Sequence, residues 1–135
     1  MRAQIRKDSH ARCGYCHAPE AFLGMPLDVE HLIPEAAGGP TIRDNLWLAC
    51  SRCSDFKGDR LEAVDPETGK HVAWYDPRWQ RWNDHFEWTV DGTHVRGKTA
   101  IGRATVEGLR LNNDFIVMAR RFWVEAGRWP PDDDV

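Results

Sequence analysis

All four cysteines of this chain fall into two pairs, Cys13-Gly-Tyr-Cys16 and Cys50-Ser-Arg-Cys53, and no other feature restricts the fold as tightly. Two residues between thiols let both sulfurs face one tetrahedral ion about 2.3 Å away, and two such pairs complete a four-thiolate site suited to zinc. Two disulfides are the competing reading. A chain kept reduced inside a cell disfavours them, and a bridge within C-x-x-C marks a redox site rather than a structural staple. The 33 residues between the pairs exceed the roughly 15–20 of a simple zinc ribbon, so a further unit is inserted between the knuckles. His17 follows Cys16 directly, but four cysteines already complete the site, and it is expected to be exposed.

Within that insert, Leu27, Val29, His31 and Ile33 alternate as in a short strand ended by Pro34. Glu35 to Pro40, with Gly38-Gly39, is turn-forming, and Thr41 to Ala49 brings the chain back to the second knuckle. A helix is expected from Ser51 to about Gly58, with Cys50, Cys53, Ser54 and Lys57 on one face. The predicted unit is strand, loop, return strand and helix, clamped by a metal at its base. Strict pleating sends Glu30 and His31 to opposite faces, so a bulge or sharp twist before Pro34 is expected if both serve one site.

A length of 135 residues suits one domain, and 41% hydrophobic residues support a modest core and exclude disorder throughout. The longest purely apolar runs, Leu46 to Cys50 and Phe115 to Ala119, are five residues each, against about 20 for a membrane span. Met1 is followed by Arg2, Arg6, Lys7 and Asp8 without an apolar run, so no secretory signal is expected and the cytoplasm is the expected compartment. The net charge of −3 excludes a surface that attracts polyanions everywhere, so any nucleic-acid site must be local.

Taken in order, Cys13-x-x-Cys16, Glu30-His31-x-x-Pro34, Gly38-Gly39, Asn45-Leu46, Cys50-x-x-Cys53 and Lys57-Gly58 resemble the HNH endonuclease family in its zinc-bearing, four-cysteine form. The resemblance extends through Asp65-Pro66, Asp76-Pro77-Arg78, Trp82, His85-Phe86, Trp88, Gly102-Arg103-Ala104-Thr105 and Leu111-Asn112 to a bacterial HNH subgroup. It implies an α+β fold with a ββα-metal (His-Me finger) core over about 10–62. From the residues themselves, a C-terminal hairpin-plus-helix extension over about 63–130 is expected to pack on that core within a single domain 1–135, with 131–135 expected as a frayed tail.

The implied activity is divalent-metal-dependent hydrolysis of phosphodiester bonds in nucleic acid, DNA foremost. His31 would be the general base, a role that suits imidazole, which ordinarily titrates near neutrality. Asn45 would orient that ring. Glu30 and Ser54 would hold the catalytic Mg²⁺, Mn²⁺ or Ni²⁺, the four cysteines a structural Zn²⁺, and Lys57 and Arg60 would contact phosphate. The family usually has aspartate where Glu30 stands and asparagine or histidine where Ser54 stands. A second reading therefore keeps the scaffold and the zinc in a nucleic-acid-binding module with impaired cleavage, and a third makes the chain a zinc-stabilised protein-interaction domain.

In the second half, Trp79, Trp82, Phe86 and Trp88 crowd into ten residues; such rings stack on unpaired bases in some proteins, and core packing is the favoured reading here. Phe86 to Arg96 reads as a hairpin around Asp91-Gly92. A single last helix is expected from Gly102-Arg103 to about Glu125. Arg103, Arg110, Arg120, Arg121 and Arg128 form no stripe on it and read as surface charge, and His85 is expected among aromatics.

Overall fold

Short strands closed by a cysteine knuckle frame the N-terminal part of the computed structural model, which describes residues 1–132. Asp133, Asp134 and Val135, within the expected tail, lie outside the described residues. The fold is α+β, and no helix among the described residues is long and apolar enough to cross a membrane. The chain groups into two compact units, residues 1–61 with 76–80, and residues 62–75 with 81–132.

In the first unit, α1 (Arg2–Asp8) and α2 (Glu20–Leu23) precede β1 (Asp28–His31), β2 (Leu46–Ala49) and α3 (Ser51–Lys57). The two strands pair antiparallel in unbroken register from Asp28↔Ala49 to His31↔Leu46. The expected bulge is therefore absent from this pairing. Every residue of β2 is buried, which is why its sequence reads as a continuous apolar run instead of alternating. The Gly14 N–H donates to Leu48 O at 2.8 Å, tying the first knuckle to β2, and a Cβ at Gly14 would collide with the Trp47 ring. Cys50 is the N-cap of α3, its Sγ accepting from the Cys53 N–H at 3.5 Å, and Gly58 ends the helix at φ 53°.

The sequence pattern did not announce α1, which buries only Ile5. Asp8 at its end takes a fork from Arg43 at 2.7 and 2.9 Å and a further bond from Arg78 at 2.9 Å. These guanidiniums, Arg43 foremost, hold its carboxyl down at about 2. Arg78 also donates to Leu46 O and lies 4.8 Å over the Trp47 ring, so residues 76–80 belong with β2.

In the second unit, β3 (Glu62–Val64) and β4 (His71–Ala73) form one hairpin, and α4 (Trp82–His85) leads into a second hairpin of β5 (Phe86–Trp88) and β6 (Val95–Gly97). Asp91 closes the second turn, accepting from the Thr89 hydroxyl and from the Thr93 N–H and hydroxyl. The expected single last helix is two, α5 (Ala100–Gly108) and α6 (Asp114–Glu125). The break follows from its residues: Arg110 takes a left-handed φ of 50°, the Asn112 side chain bonds both N–H and C=O of Val95, and Asn113 caps α6 through Phe115 and Ile116 N–H.

Its core is aromatic, as the favoured reading had it for Trp82, Phe86 and Trp88; Trp79, read with them, is instead 66% exposed and belongs to the first unit. Trp82 lies 5.0 Å from Phe86 and 5.1 Å from Trp88, Trp88 meets Trp129 edge-on at 4.9 Å, and His85 meets Tyr75 at 5.6 Å. Arg120, expected at the surface, is fully buried: its guanidinium donates to Thr93 O, Leu111 O and Asn112 Oδ1 and lies 5.1 Å over the Trp88 ring. Spacing along a helix cannot distinguish such an arginine from an exposed one, because its partners lie in loops outside the helix.

Candidate active site

The four cysteine sulfurs lie within 4.8 Å of one another, all buried, with Cys16 and Cys50 Sγ 3.8 Å apart. That separation is nearly twice an S–S bond and close to the edge, about 3.8 Å, of a tetrahedron of sulfurs around an ion at about 2.3 Å. The cluster can thus hold a structural metal ion. Burial, followed by hydrogen bonding to its neighbours, pushes the Cys13 thiol up; for Cys53 the neighbouring sulfurs come first and burial after. A bound cation reverses that penalty, since thiolates crowded in a buried site repel until a positive charge joins them. His17, expected in solvent, is buried beside the knuckle at a left-handed φ of 63°.

The knuckle fixes where β2 ends and α3 begins, and α3 lies against β1. Ser54 Oγ donates to Glu30 Oε2 at 2.6 Å, and Lys57 Nζ donates to Glu30 Oε1 at 3.3 Å. Lys57 also donates to the carbonyls of His31 and Leu32, both at 3.2 Å. Lys57 is only 1% exposed, so it is not placed for the phosphate contact expected of it. It neutralises Glu30 and secures the end of β1 instead, which is what a buried ammonium requires of its surroundings. Arg60 is exposed and folds back on Phe56 O.

His31 lies at the other side of the strand end, with its side chain 20% exposed. Its Nε2 is 2.9 Å from Thr41 Oγ1 and 3.8 Å from the Glu35 carboxylate. Asn45 does not hold this ring. Its Oδ1 accepts from the Ile33 N–H at 2.9 Å, and its Nδ2 donates to Ile33 O and Pro40 O at 3.0 and 2.9 Å, bracing the loop between the strands. The same closure makes Gly39 obligatory, since a Cβ there would collide with Ile33 O. Thr41, which sequence reasoning passed over, is the ring's partner because this loop folds back on β1.

A cavity of about 250 Å³ collects Glu30, His31 and Ser54, with Glu35 and Asp59 also on its wall. Glu30 and His31 alternate in facing, as the unbroken register requires, yet both line this cavity at the strand end. The Glu30 and Ser54 oxygens offer a hard donor pair, one carboxylate and one hydroxyl, which fits a divalent ion that keeps most of its water shell. Among the described residues, the cysteines are the one group of three or more His, Cys, Asp or Glu side chains gathered closely enough to enclose an ion unaided.

Comparison with known proteins bears on this site. The HNH endonuclease family model matches residues 13–60, which include both knuckles, the cavity and the loop. A segment of 64 residues is 34% identical to the CRISPR-associated endonuclease Cas9 of Corynebacterium diphtheriae, covering 47% of this chain and 6% of that protein. No solved structure matches the chain significantly. Over residues 13–60, the stretch that carries both knuckles and the Glu30–His31 cavity, this chain matches the HNH endonuclease family.

Proposed function

We propose that the protein is a divalent-metal-dependent endonuclease that hydrolyses phosphodiester bonds of nucleic acid, DNA foremost, on a scaffold clamped by structural zinc. The observation that carries this reading is the convergence of Glu30, His31 and Ser54 on one cavity. His31 is the general base: a ring nitrogen takes the proton of the attacking water. If Nε2 carries the ring hydrogen and donates it to Thr41 Oγ1, Nδ1 keeps the free lone pair that the reaction needs. Thr41 thereby sets both the tautomer and the angle of the ring. Glu30 and Ser54 would hold the divalent ion, which when bound supplies charge neutralisation at the scissile phosphate and the leaving oxygen. Lys57 keeps the Glu30 carboxylate and the His31 carbonyl in place, and Asn45 keeps the loop closed behind Thr41.

One observation favours a second reading, a zinc-stabilised nucleic-acid-binding module with impaired cleavage: the charge of Glu30 is already met by the Lys57 ammonium. A nicking assay on supercoiled plasmid and on single-stranded DNA separates the two. Cleavage on addition of Mg²⁺, Mn²⁺ or Ni²⁺, and none without added ion, is the expected result. Salt-sensitive binding without cleavage by any metal, from folded and zinc-loaded protein, would establish the second reading.

A further inference from the structure

Of the four aromatic residues crowded between positions 79 and 88, three join the core of the second unit, and Trp79 does not. Trp79 belongs to the first unit and is 66% exposed, on a turn that is closed on itself. The Asp76 carboxylate accepts from the Arg78 and Trp79 N–H groups, and the Gln80 side chain accepts from the Asp76 N–H at 2.8 Å. Arg78, one residue earlier, is anchored on Leu46 O and Asp8. A large apolar ring held out in solvent on so firm a mounting contributes little to packing.

Trp79 borders a cavity of about 250 Å³ whose apolar wall is Leu32, Ile33, Pro40 and Ile42. Its charged members are Asp44 and Asp76, and no lysine or arginine lines it. Carboxylates without a cation repel a phosphate, whereas they accept hydrogen bonds from the N–H edge of a base. The volume lies below the roughly 300–1,000 Å³ of pockets for drug-sized ligands, which suits one ring system rather than a length of peptide. The cavity also shares its loop with the candidate active site. Thr41, the partner of the His31 ring, sits between Pro40 and Ile42, and Leu32 and Ile33 directly follow His31.

We propose that this cavity is a nucleobase subsite: Trp79 stacks on an unpaired base of the nucleic acid whose backbone is cut at His31. The proposal rests on the nuclease reading of the neighbouring site and adds to it a preference for single-stranded or locally opened substrate. Base–aromatic stacking of this kind tolerates any sequence, since every base has a π face.

The test is binding of a fluorescein-labelled mixed-sequence single-stranded DNA to the zinc-loaded 135-residue protein without added divalent ion, followed by cleavage kinetics with it. Trp79→Ala is expected to weaken binding about 10-fold and to raise KM by a similar factor, with kcat changed less than about twofold. Trp79→Phe is expected to retain most of the affinity, and Ile42→Ser, which makes part of the apolar wall polar, to lose part of it. Replacing bases by abasic sites across the DNA should erase the difference between wild type and Trp79→Ala. Equal binding and equal KM in wild type and Trp79→Ala overturn the proposal while leaving the nuclease reading intact. A change in sedimentation with unchanged DNA binding also overturns it and assigns the surface to contact between copies. Binding that depends on Trp79, from protein that fails to cut with Mg²⁺, Mn²⁺ or Ni²⁺, supports the subsite and contradicts the nuclease reading.

Discussion

In the first unit, two four-residue strands and a seven-residue helix gather around four sulfurs, whereas the second unit has no cysteine and packs aromatic rings about a buried arginine. The difference is one of what each core demands. Two-stranded sheets are marginal in water in either unit, and in the first the buried four-sulfur cluster could hold an ion that joins the two knuckles and supplies stability its short strands lack. The second unit draws on ring contacts and on hydrogen bonds from Arg120, all supplied by the chain itself. The residues proposed for chemistry lie in the unit that carries this cluster, so an ion held there would support stability and activity together.

The comparison breaks most plainly on removing the metal. Structural zinc contributes on the order of 10 kcal/mol in small sites at neutral pH, so a strong chelator, or Cys50→Ser, is expected to unfold the first unit. Hydrogen exchange followed by mass spectrometry should then show protection lost in β1, β2 and α3 and kept in β5, β6 and α6. Simultaneous loss in both sets would contradict the division.

A smaller effect is expected from Arg120→Ala, which leaves the Thr93 and Leu111 carbonyls buried without their donor. About 3 kcal/mol of destabilisation should appear in the second unit, with metal content unchanged. Thermal unfolding of the metal-loaded protein measures it, and a shift of the first unit's exchange instead would be evidence against the assignment.

Asn45→Ala removes three hydrogen bonds from the loop and is expected to cost about 1–3 kcal/mol locally, without exposing the sulfurs. Exchange at residues 33–41 should rise and cleavage should fall about 10-fold. An unchanged loop would deny Asn45 its bracing role.

The mildest effect is on acid sensitivity. Arg103 foremost, through a fork at 2.9 and 3.0 Å, holds the Asp65 carboxyl down at about 2 in the folded second unit. An unfolded aspartate titrates near about 3.9, so the contribution is complete above that value and is lost as pH falls from about 4 through about 2. Asp65→Asn should flatten the fall in melting temperature over that window, and an unchanged profile would show that the pair contributes no pH dependence.

What the sequence revealed, and what it hid, divides along the same line. The knuckles and the strand–loop–strand–helix order were legible because they rest on local spacing, C-x-x-C and alternation, whereas Glu30 and Ser54 were paired by the family resemblance alone. Features decided by partners distant in sequence were not legible. Thr41 meets His31 only because the glycine loop folds back, and Lys57 turns inward because a carboxylate and two carbonyls await it. Likewise, Arg120 is buried by the turn at Thr93 and the Leu111–Asn112 loop, and Trp79 leaves its aromatic neighbours because Arg78 docks on Leu46. An alternating strand was read as separating Glu30 from His31, but a cavity at the strand's end admits both faces.

The most direct test of the central claim is plasmid nicking by His31→Ala, with zinc content, melting temperature and DNA affinity measured on the same preparation. The account predicts that metal-dependent nicking falls by at least about 100-fold while the other three stay as in wild type. Nicking at the wild-type rate would contradict it, removing His31 as the base and the cavity around it as the site of cleavage.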